Sequence, residues 1–172
     1  QLDRLAHFDS LTGLMNRHFL QISLDGLLDR TYQENRSKLA VIFMDLDLFK
    51  QINDNFGHHE GDLVLQETAQ RLLASVRNTD IVSRIGGDEF VIVLNRFNQI
   101  SIIKEISNKL LQQIASPYFI NGNKHSISAS MGISIYPDDG DNVHDLMKRA
   151  DASMYRSKAE GRNKIVFFEK KH

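Results

Sequence analysis

Two glycines and two acidic residues stand together at one point of the chain: Gly86, Gly87, Asp88 and Glu89. Apolar runs precede and follow them, which predicts a β-hairpin with these residues at its turn. Adjacent carboxylates repel, and a hard divalent cation such as Mg²⁺ or Mn²⁺ relieves that repulsion. Glycines would also let a phosphate group approach the backbone N–H groups of the turn. The alternative is an ordinary Gly-Gly turn followed by hydrated acids, and the local sequence favours neither interpretation.

A third acidic residue, Asp45, directly follows the apolar run 39–44. A carboxylate at the end of a buried strand is costly unless it is paired or binds a metal. Taken alone, Asp45 fits a cap or a turn as well as a metal site. If its strand and the hairpin share one sheet, Asp45 converges with Asp88 and Glu89 at one edge. Asp47 is predicted to cap the helix that follows.

A second polar cluster lies in residues 53–62. Asn53 offers amide donors and an acceptor, whereas Asp62 accepts only, so together they could recognise the hydrogen-bonding edge of a guanine base. The alternatives are structural. Asn53 would end one helix, and Asp62 would interact with the positive N-terminal end of the next.

A third cluster contains two cations near the C-terminus of the chain. Lys158 falls in the last turn of a predicted helix, and Arg162 lies just beyond Gly161, a favourable residue after a helix end. Cations at a helix C-terminus are common and need no further explanation. Beside a polyphosphate, the same two side chains would form charge-assisted hydrogen bonds to it.

The spacing of apolar residues predicts the elements that position these clusters. The long helix over 60–76 should bury Leu65, Ala69, Leu72, Leu73 and Val76. Further helices are predicted over 17–36 and 100–115, after Asp47, and over 143–159. Strands are predicted over 39–44, on both sides of the glycine turn, and over 118–121, 125–136 and 164–168. The order βαββαβ indicates an α/β (α+β) protein with a ferredoxin-like core and a mostly antiparallel central sheet with flanking helices.

Composition limits the classes of function. The chain has 172 residues and a formal net charge of −1, so we expect one domain with no general attraction to nucleic acid or anionic membrane. It lacks cysteine, which excludes disulfides, zinc–thiolate sites and thiol nucleophiles and fits a reducing compartment. No apolar run is long enough to span a bilayer. Because the sequence starts as though within a helix, we expect residues 1–172 to be a single domain excised from a larger multidomain signalling protein.

Five segments together resemble the GGDEF-domain family of diguanylate cyclases, and the resemblance extends from about residue 9 to residue 168. The segments are HFDSLTGLMNR, FMDLDLFKQINDNFGHHEGD, RIGGDEF, SASMGISIYPDDG and ADASMYRSKAEGRN. The resemblance implies a fold like the palm of nucleotidyl cyclases and polymerases. It also implies the condensation of two GTP molecules into cyclic di-GMP, with release of pyrophosphate.

The resemblance also implies roles for individual residues. Asp88 and Glu89 would be catalytic, with Asp88 the candidate for taking the proton from the attacking 3′-hydroxyl. The residues expected to bind Mg²⁺ or Mn²⁺ are Asp45, Leu46 (through its carbonyl), Asp88 and Glu89. The residues expected to bind GTP are Asn53, Asp62, His58, Lys50, Gly86, Gly87, Lys158 and Arg162.

Regulation and assembly follow from the same resemblance. A single site holds one GTP, so the active state is expected to be a homodimer with two-fold symmetry. Arg77 and Asp80 match an RxxD product-inhibition site for cyclic di-GMP, although a helix-end ion pair is the structural alternative. A cytoplasmic location is expected, in a parent protein with or without a membrane anchor. Two rival hypotheses are a non-catalytic GTP-binding module that controls an attached phosphodiesterase domain and a cyclic di-GMP receptor.

Overall fold

A computed structural model of the chain describes residues 2–34 and 37–169. The elements, in chain order, are α1 (Leu2–His7), α2 (Arg17–Gln33), β1 (Lys38–Leu46), α3 (Phe49–Phe56), α4 (His58–Ala74), β2 (Ile81–Gly86), β3 (Glu89–Phe97), α5 (Ile100–Ala115), β4 (Tyr118–Ile120), β5 (Asn123–His125), β6 (Ala129–Tyr136), α6 (Val143–Ala159) and β7 (Lys164–Phe167). Among the described residues, no helix combines the length and the apolar character needed to cross a membrane.

The main sheet has five strands in the order β2-β3-β1-β6-β7. Strand β1 is central and runs antiparallel to both β3 and β6, whereas β7 joins the edge parallel to β6. The first four of these strands, with the helices between them, form the predicted βαββαβ core, and the mostly antiparallel sheet is confirmed. Strands β4 and β5 form a separate two-stranded sheet joined by a turn at Asn121 and Gly122, which both have positive φ.

Helices cover both faces of the sheet. Successive side chains of β1 point to opposite faces and pack into two hydrophobic clusters, one on each side. Ala40, Ile42 and Met44 pack with α3, α4 and α5. Val41 and Phe43 pack on the opposite face with α2 and α6. The prediction of a central strand buried on both sides is therefore confirmed, and the end of β1 is held from two directions.

Helix α6 lies unusually close to strand β6. A Cβ atom added at Gly132 of β6 would overlap the backbone nitrogen of Met154 and the carbonyl oxygen of Ala150, both in α6. Only glycine allows the helix backbone to approach the strand to this distance. The last turns of α6 are thereby seated directly on the sheet.

Several predicted details were wrong. Leu73 is 53% exposed, because the buried stripe of α4 passes through Leu65, Ala69 and Leu72 and leaves Leu73 on the outer side. Helix α4 also begins at His58 and ends at Ala74. The single strand predicted over 125–136 is divided, because residues 123–125 pair with β4 whereas β6 starts at Ala129 in the main sheet. The predicted end of the first long helix near Arg36 lies outside the described residues.

Candidate active site

The three predicted acidic residues meet where β1 ends beside the β2–β3 hairpin. Asp45 stands directly opposite Glu89 in the antiparallel pairing of β1 with β3. Asp88 occupies the two-residue turn between β2 and β3, and its carbonyl oxygen accepts a hydrogen bond from the Leu46 N–H at 3.2 Å. Backbone pairing, rather than side-chain packing, therefore brings these carboxylates to the same edge of the sheet.

Asp45 is the most buried of the three, with 7% of its surface exposed. Its Oδ2 forms an ion pair with Lys158 Nζ from α6, whereas its Oδ1 is buried and has no hydrogen-bond partner in the described ranges 2–34 and 37–169. Among the residues the structure describes, no three acidic or histidine side chains already stand around one common point as metal ligands do. The Lys158 ammonium is the cation that lies against Asp45.

The pKa values of the site show that negative charge is crowded there. Burial, together with the neighbouring Asp45 carboxylate, raises the pKa of Asp88 to about 7. Burial, followed by the charges of Asp45 and Asp151, raises the pKa of Glu89. Burial alone would lower the pKa of Lys158, but the hydrogen bond and charge of Asp45 outweigh it and raise that pKa. One ammonium group therefore does not balance this set of carboxylates, and a further cation would be stabilised here.

The glycines of the hairpin leave the turn open. No atom lies within 4 Å of the position that a Cβ would take at Gly86 or Gly87. Gly87 has φ +51°, a left-handed conformation that glycine adopts without strain. Arg84 Nε donates to the Gly87 carbonyl at 2.9 Å and fixes the outer side of the turn. A phosphate group could therefore reach the turn without meeting a side chain of either glycine.

Asn53 and Asp62 lie on α3 and α4, on either side of the corner at Gly57. A Cβ at Gly61 would overlap Oδ1 of Asn53 and would lie 3.0 Å from its Cγ, so the amide rests against the backbone of α4. Asp62 is exposed, and within the described part of the chain neither side chain has a hydrogen-bond partner. Both are available to a ligand. Lys50 and His58, also predicted to bind GTP, are exposed on the same two helices.

The predicted phosphate-binding cations flank a strained loop after α6. Lys158 lies in the last turn of the helix, and Arg162 and Asn163 both have positive φ, at 65° and 50°. The backbone N–H of Asn163 donates to Asp47 Oδ2 at 3.0 Å, which holds this loop against the end of β1. The loop that carries the exposed Arg162 is therefore held beside the end of β1.

The prediction that Asp47 caps a helix was wrong. Leu48 occupies the N-cap position of α3 with φ 59° and provides no capping side chain. Asp47 is buried and instead accepts hydrogen bonds of 2.6 Å from the hydroxyls of both Ser128 and Ser130. These donors, with the Asn163 N–H, satisfy a buried carboxylate better than the solvent-facing start of α3 would.

The predicted product-binding pair is engaged internally. Arg77 donates from its backbone N–H, Nε and Nη2 to the Asp80 carboxylate at 2.9, 3.2 and 3.0 Å. The Asp80 side chain is 2% exposed and also accepts from the backbone N–H of Asn95. The guanidinium of Arg77 stacks over the ring of Phe97 at 4.5 Å. This geometry agrees with the structural alternative, an ion pair, and a ligand would have to compete for Arg77.

Sequence reasoning missed two charged groups beside the site. Asp151 lies two helical turns before Lys158 on α6, and burial, opposed by Arg17 and aided by Asp45, raises its pKa. Asp151, Arg17 and Glu89 all border a groove of about 750 Å³ between α2 and α6. The spacing of seven residues between Asp151 and Lys158 could have placed both on one helix face.

Sequence comparison with known proteins identifies the family of the chain. The family model described as diguanylate cyclase, GGDEF domain, matches residues 6–164. The bifunctional diguanylate cyclase/cyclic di-GMP phosphodiesterase MucR of Pseudomonas aeruginosa is 44% identical over 169 residues, which cover 98% of this chain and 24% of MucR. The diguanylate cyclase TpbB of the same species is 39% identical over 158 residues, covering 91% of this chain and 36% of TpbB. The chain thus spans about a quarter to a third of these curated relatives.

Solved structures of GGDEF domains resemble the fold of this chain. The isolated GGDEF domain of TpbB superposes with a TM-score of 0.90 at 37% identity, covering 95% of each chain. The GGDEF domain of DgcB from Caulobacter crescentus, solved in complex with c-di-GMP, gives a TM-score of 0.85 at 27% identity and covers 96% of this chain and 97% of that one. With the family model matched over most of its length, this chain belongs to the GGDEF-domain family of diguanylate cyclases.

Proposed function

We propose that this domain condenses two GTP molecules into cyclic di-GMP and releases two pyrophosphates. The observation that carries the proposal is the meeting of Asp45, Asp88 and Glu89 at one sheet edge, with Lys158 as a cation beside them. The open glycine turn and the unpaired Asn53 and Asp62 lie on elements that adjoin this edge. Relatives named as diguanylate cyclases align along nearly the whole chain.

The donor set suits a hard divalent cation. The buried Oδ1 of Asp45 has no hydrogen-bond partner among the described residues, and burial together with the charge of Asp45 raises the pKa values of Asp88 and Glu89. Asp45, the Leu46 carbonyl, Asp88 and Glu89 would hold Mg²⁺ or Mn²⁺ through oxygen atoms alone. When bound, such a cation neutralises triphosphate charge and makes a coordinated hydroxyl more acidic.

The chain's own residues perform the other steps. Lys158 and Arg162 hold the polyphosphate by charge-assisted hydrogen bonds, and the turn at Gly86 and Gly87 admits it to the backbone N–H groups. Asp88 is also the candidate for accepting the proton of the attacking 3′-hydroxyl. In-line positioning and electrostatic stabilisation then supply most of the rate.

Asn53 and Asp62 select the base in this proposal. Asp62 accepts from the N1–H and N2–H₂ groups of guanine, and Asn53 pairs with N3 and N2. His58 and Lys50 flank the same corner and contribute charge and donors toward the nucleotide. A base other than guanine would leave polar groups of the site without hydrogen-bond partners. Such a site discriminates strongly between bases, which fits a preference for GTP.

Two copies of the domain act together. Each site holds one GTP, and a two-fold axis places each 3′-hydroxyl opposite the partner's α-phosphorus. Product inhibition occurs when cyclic di-GMP draws Arg77 away from its ion pair with Asp80. The DgcB domain was solved with c-di-GMP bound, which supports binding of the product by this family.

The test is incubation of the chain, fused to a dimerising coiled coil, with GTP and Mg²⁺ and separation of the nucleotides by chromatography. The wild type should form cyclic di-GMP, and Asp88→Ala should form none. Asp138→Ala is the matched control, because Asp138 is a partly exposed acid paired with Lys38 away from the site. Equal turnover by wild type and Asp88→Ala would disprove the site assignment.

A second candidate function is a GTP-binding module that controls a phosphodiesterase domain. It is favoured by the match to NbdA of Pseudomonas aeruginosa, which is named only as a cyclic di-GMP phosphodiesterase and is 38% identical over 169 residues. A dimerised wild-type chain that binds GTP but forms no product would support this alternative.

A further inference from the structure

A buried polar network connects α4 to the small β4–β5 sheet. His125 Nε2 lies 2.5 Å from Glu60 Oε2, and the Asn123 amide donates to both carboxylate oxygens of Glu60 at 3.2 and 3.1 Å. Glu60 is 6% exposed and His125 is 5% exposed. Polar groups buried this deeply are retained in a structure only when they are satisfied, and here they satisfy one another.

This network connects the first turn of α4 to the β4–β5 sheet. Gly57 stands at the N-cap of α4 with φ 90°, and no side chain caps the first turn. Glu60 belongs to that first turn, but its carboxylate is directed to β5 instead of back to the helix. The first turn of α4 is therefore fixed from outside, through a tie to another element.

His125 also contacts the preceding helix. The ring of Phe56, the last residue of α3, meets the His125 ring edge-on, with centroids 4.7 Å apart and planes at 89°. One side chain of β5 thus touches the end of α3 and the start of α4. His125 therefore contacts both helices that form the corner.

The same corner carries the two residues proposed to read guanine. The Gly57 N–H donates to the carbonyl oxygen of Asn53 at 2.9 Å, and the Asn53 amide rests against Gly61. Asp62 lies two residues beyond Glu60 on the same helix. Any rotation of the first turn of α4 would therefore change the distance and angle between Asn53 and Asp62.

We propose that the Glu60–His125–Asn123 network positions Asn53 and Asp62 for recognition of guanine. Its members are positioning residues that do not touch the nucleotide, and the β4–β5 sheet serves as a support for base selectivity. This inference rests on the proposed GTP site. It gives a function to a sheet that contributes nothing to the carboxylate cluster.

The experiment compares His125→Ala with wild type in the dimerised chain, using GTP and inosine triphosphate, which lacks the 2-amino group of guanine. We expect KM for GTP to rise about tenfold, kcat to change less than about twofold, and the preference for GTP over inosine triphosphate to fall by a similar factor. His125→Gln, which keeps a donor toward Glu60, should restore much of the preference. His144→Ala is the control, because His144 is an exposed histidine on α6.

Equilibrium binding of both nucleotides separates the two proposals. Wild type that binds GTP selectively without turnover would remove the cyclase function but keep the inference, provided that His125→Ala lowers the selectivity. Unchanged KM and selectivity in His125→Ala, Glu60→Gln and Asn123→Ala would overturn the inference and leave the cyclase function intact. If His125→Ala does not fold, the KM and selectivity of Glu60→Gln and Asn123→Ala decide whether the inference holds. A wild type without measurable GTP binding would overturn both.

Discussion

The carboxylate of Asp9 accepts hydrogen bonds from Arg84 Nη1 at 3.1 and 3.2 Å. Thr12 donates to the same carboxylate from its backbone N–H and its hydroxyl, at 2.9 and 2.7 Å. Arg84 also donates to the Gly87 carbonyl, so the N-terminal turn is connected to the β2–β3 hairpin through one guanidinium. The turn that carries Asp88 is therefore held by residues far from it in sequence.

This connection predicts coupling between the two partners. Asp9→Asn and Arg84→Met should each lower the free energy of unfolding by about 1–2 kcal/mol, with a coupling of about 1 kcal/mol in a double-mutant cycle. Denaturant unfolding measures all four variants. The exposed pair Arg156 and Glu160 is the control and should couple by less than about 0.5 kcal/mol. Strict additivity at Asp9 and Arg84 would contradict the prediction.

The same pair predicts a pH dependence. Burial alone would raise the pKa of Asp9, but the Thr12 hydrogen bonds and the Arg84 guanidinium outweigh it and lower that pKa. A folded-state pKa below the unfolded value gives stability above about pH 4, and this stability is lost as pH falls through the folded-state pKa. The gap between wild type and Asp9→Asn should be largest near neutral pH and shrink in acid.

The ionisation of Asp88 should change the stability of the folded chain with pH in the opposite direction. Its pKa of about 7 exceeds the unfolded value, so its ionisation destabilises the folded chain as pH rises toward 7. In buffer with a chelator, Asp88→Asn should be more stable than wild type by about 1 kcal/mol at pH 8, since partial exposure screens the repulsion. The advantage should decline between about pH 7 and pH 4. Urea unfolding at several pH values measures this, and a variant less stable at pH 8 would refute it.

Asp47 should be important for stability because three donors from distant elements converge on its buried carboxylate. In Asp47→Asn the charge that strengthens the hydrogen bonds from Ser128, Ser130 and Asn163 is lost, and the NH₂ group replaces one of the two accepting oxygens, which costs about 2–3 kcal/mol. Asp138→Asn, which removes one partly exposed ion pair, should cost less than about 1 kcal/mol. Thermal unfolding compares the two, and equal losses would show that the network around Asp47 carries little energy.

Gly61 and Gly26 offer a matched pair of helical glycines. Gly61→Ala should displace the Asn53 amide and raise KM for GTP about tenfold, because the new Cβ would overlap Oδ1 of Asn53. Gly26→Ala meets no atom within 4 Å in α2 and should stabilise the chain by about 0.5–1 kcal/mol without changing KM. Measurement of both KM and unfolding distinguishes a local effect on Asn53 from general destabilisation. An unchanged KM in Gly61→Ala would remove Asn53 from the GTP site.

Local sequence patterns predicted most of the fold, because residues close together in sequence determine where strands and turns form. The continuous apolar run before Asp45 indicated a central strand, and the glycines before Asp88 indicated a hairpin turn. The order of these elements then allowed only a few sheet topologies, so the meeting of Asp45 with Glu89 followed from backbone pairing.

Long-range polar contacts could not be predicted in the same way. Asp47 finds its partners Ser128 and Ser130 more than 80 residues away, and no local pattern marks a serine as a partner for a buried carboxylate. The tie between Glu60 and His125 spans 65 positions and was missed for the same reason. Capping rules consider only the first turn of a helix, and they were overridden here by tertiary contacts.

The close seating of α6 at Gly132 has a mechanical consequence. Because backbone meets backbone there, the helix can neither roll nor slide on β6 without moving the sheet. Lys158, one turn beyond Met154, is therefore carried on the same rigid block as Asp45, which β6 holds through its pairing with β1. The packing of backbone against backbone therefore fixes the distance between Lys158 and Asp45. Adjustment of the site is left to the α3–α4 corner, which β5 contacts through side chains.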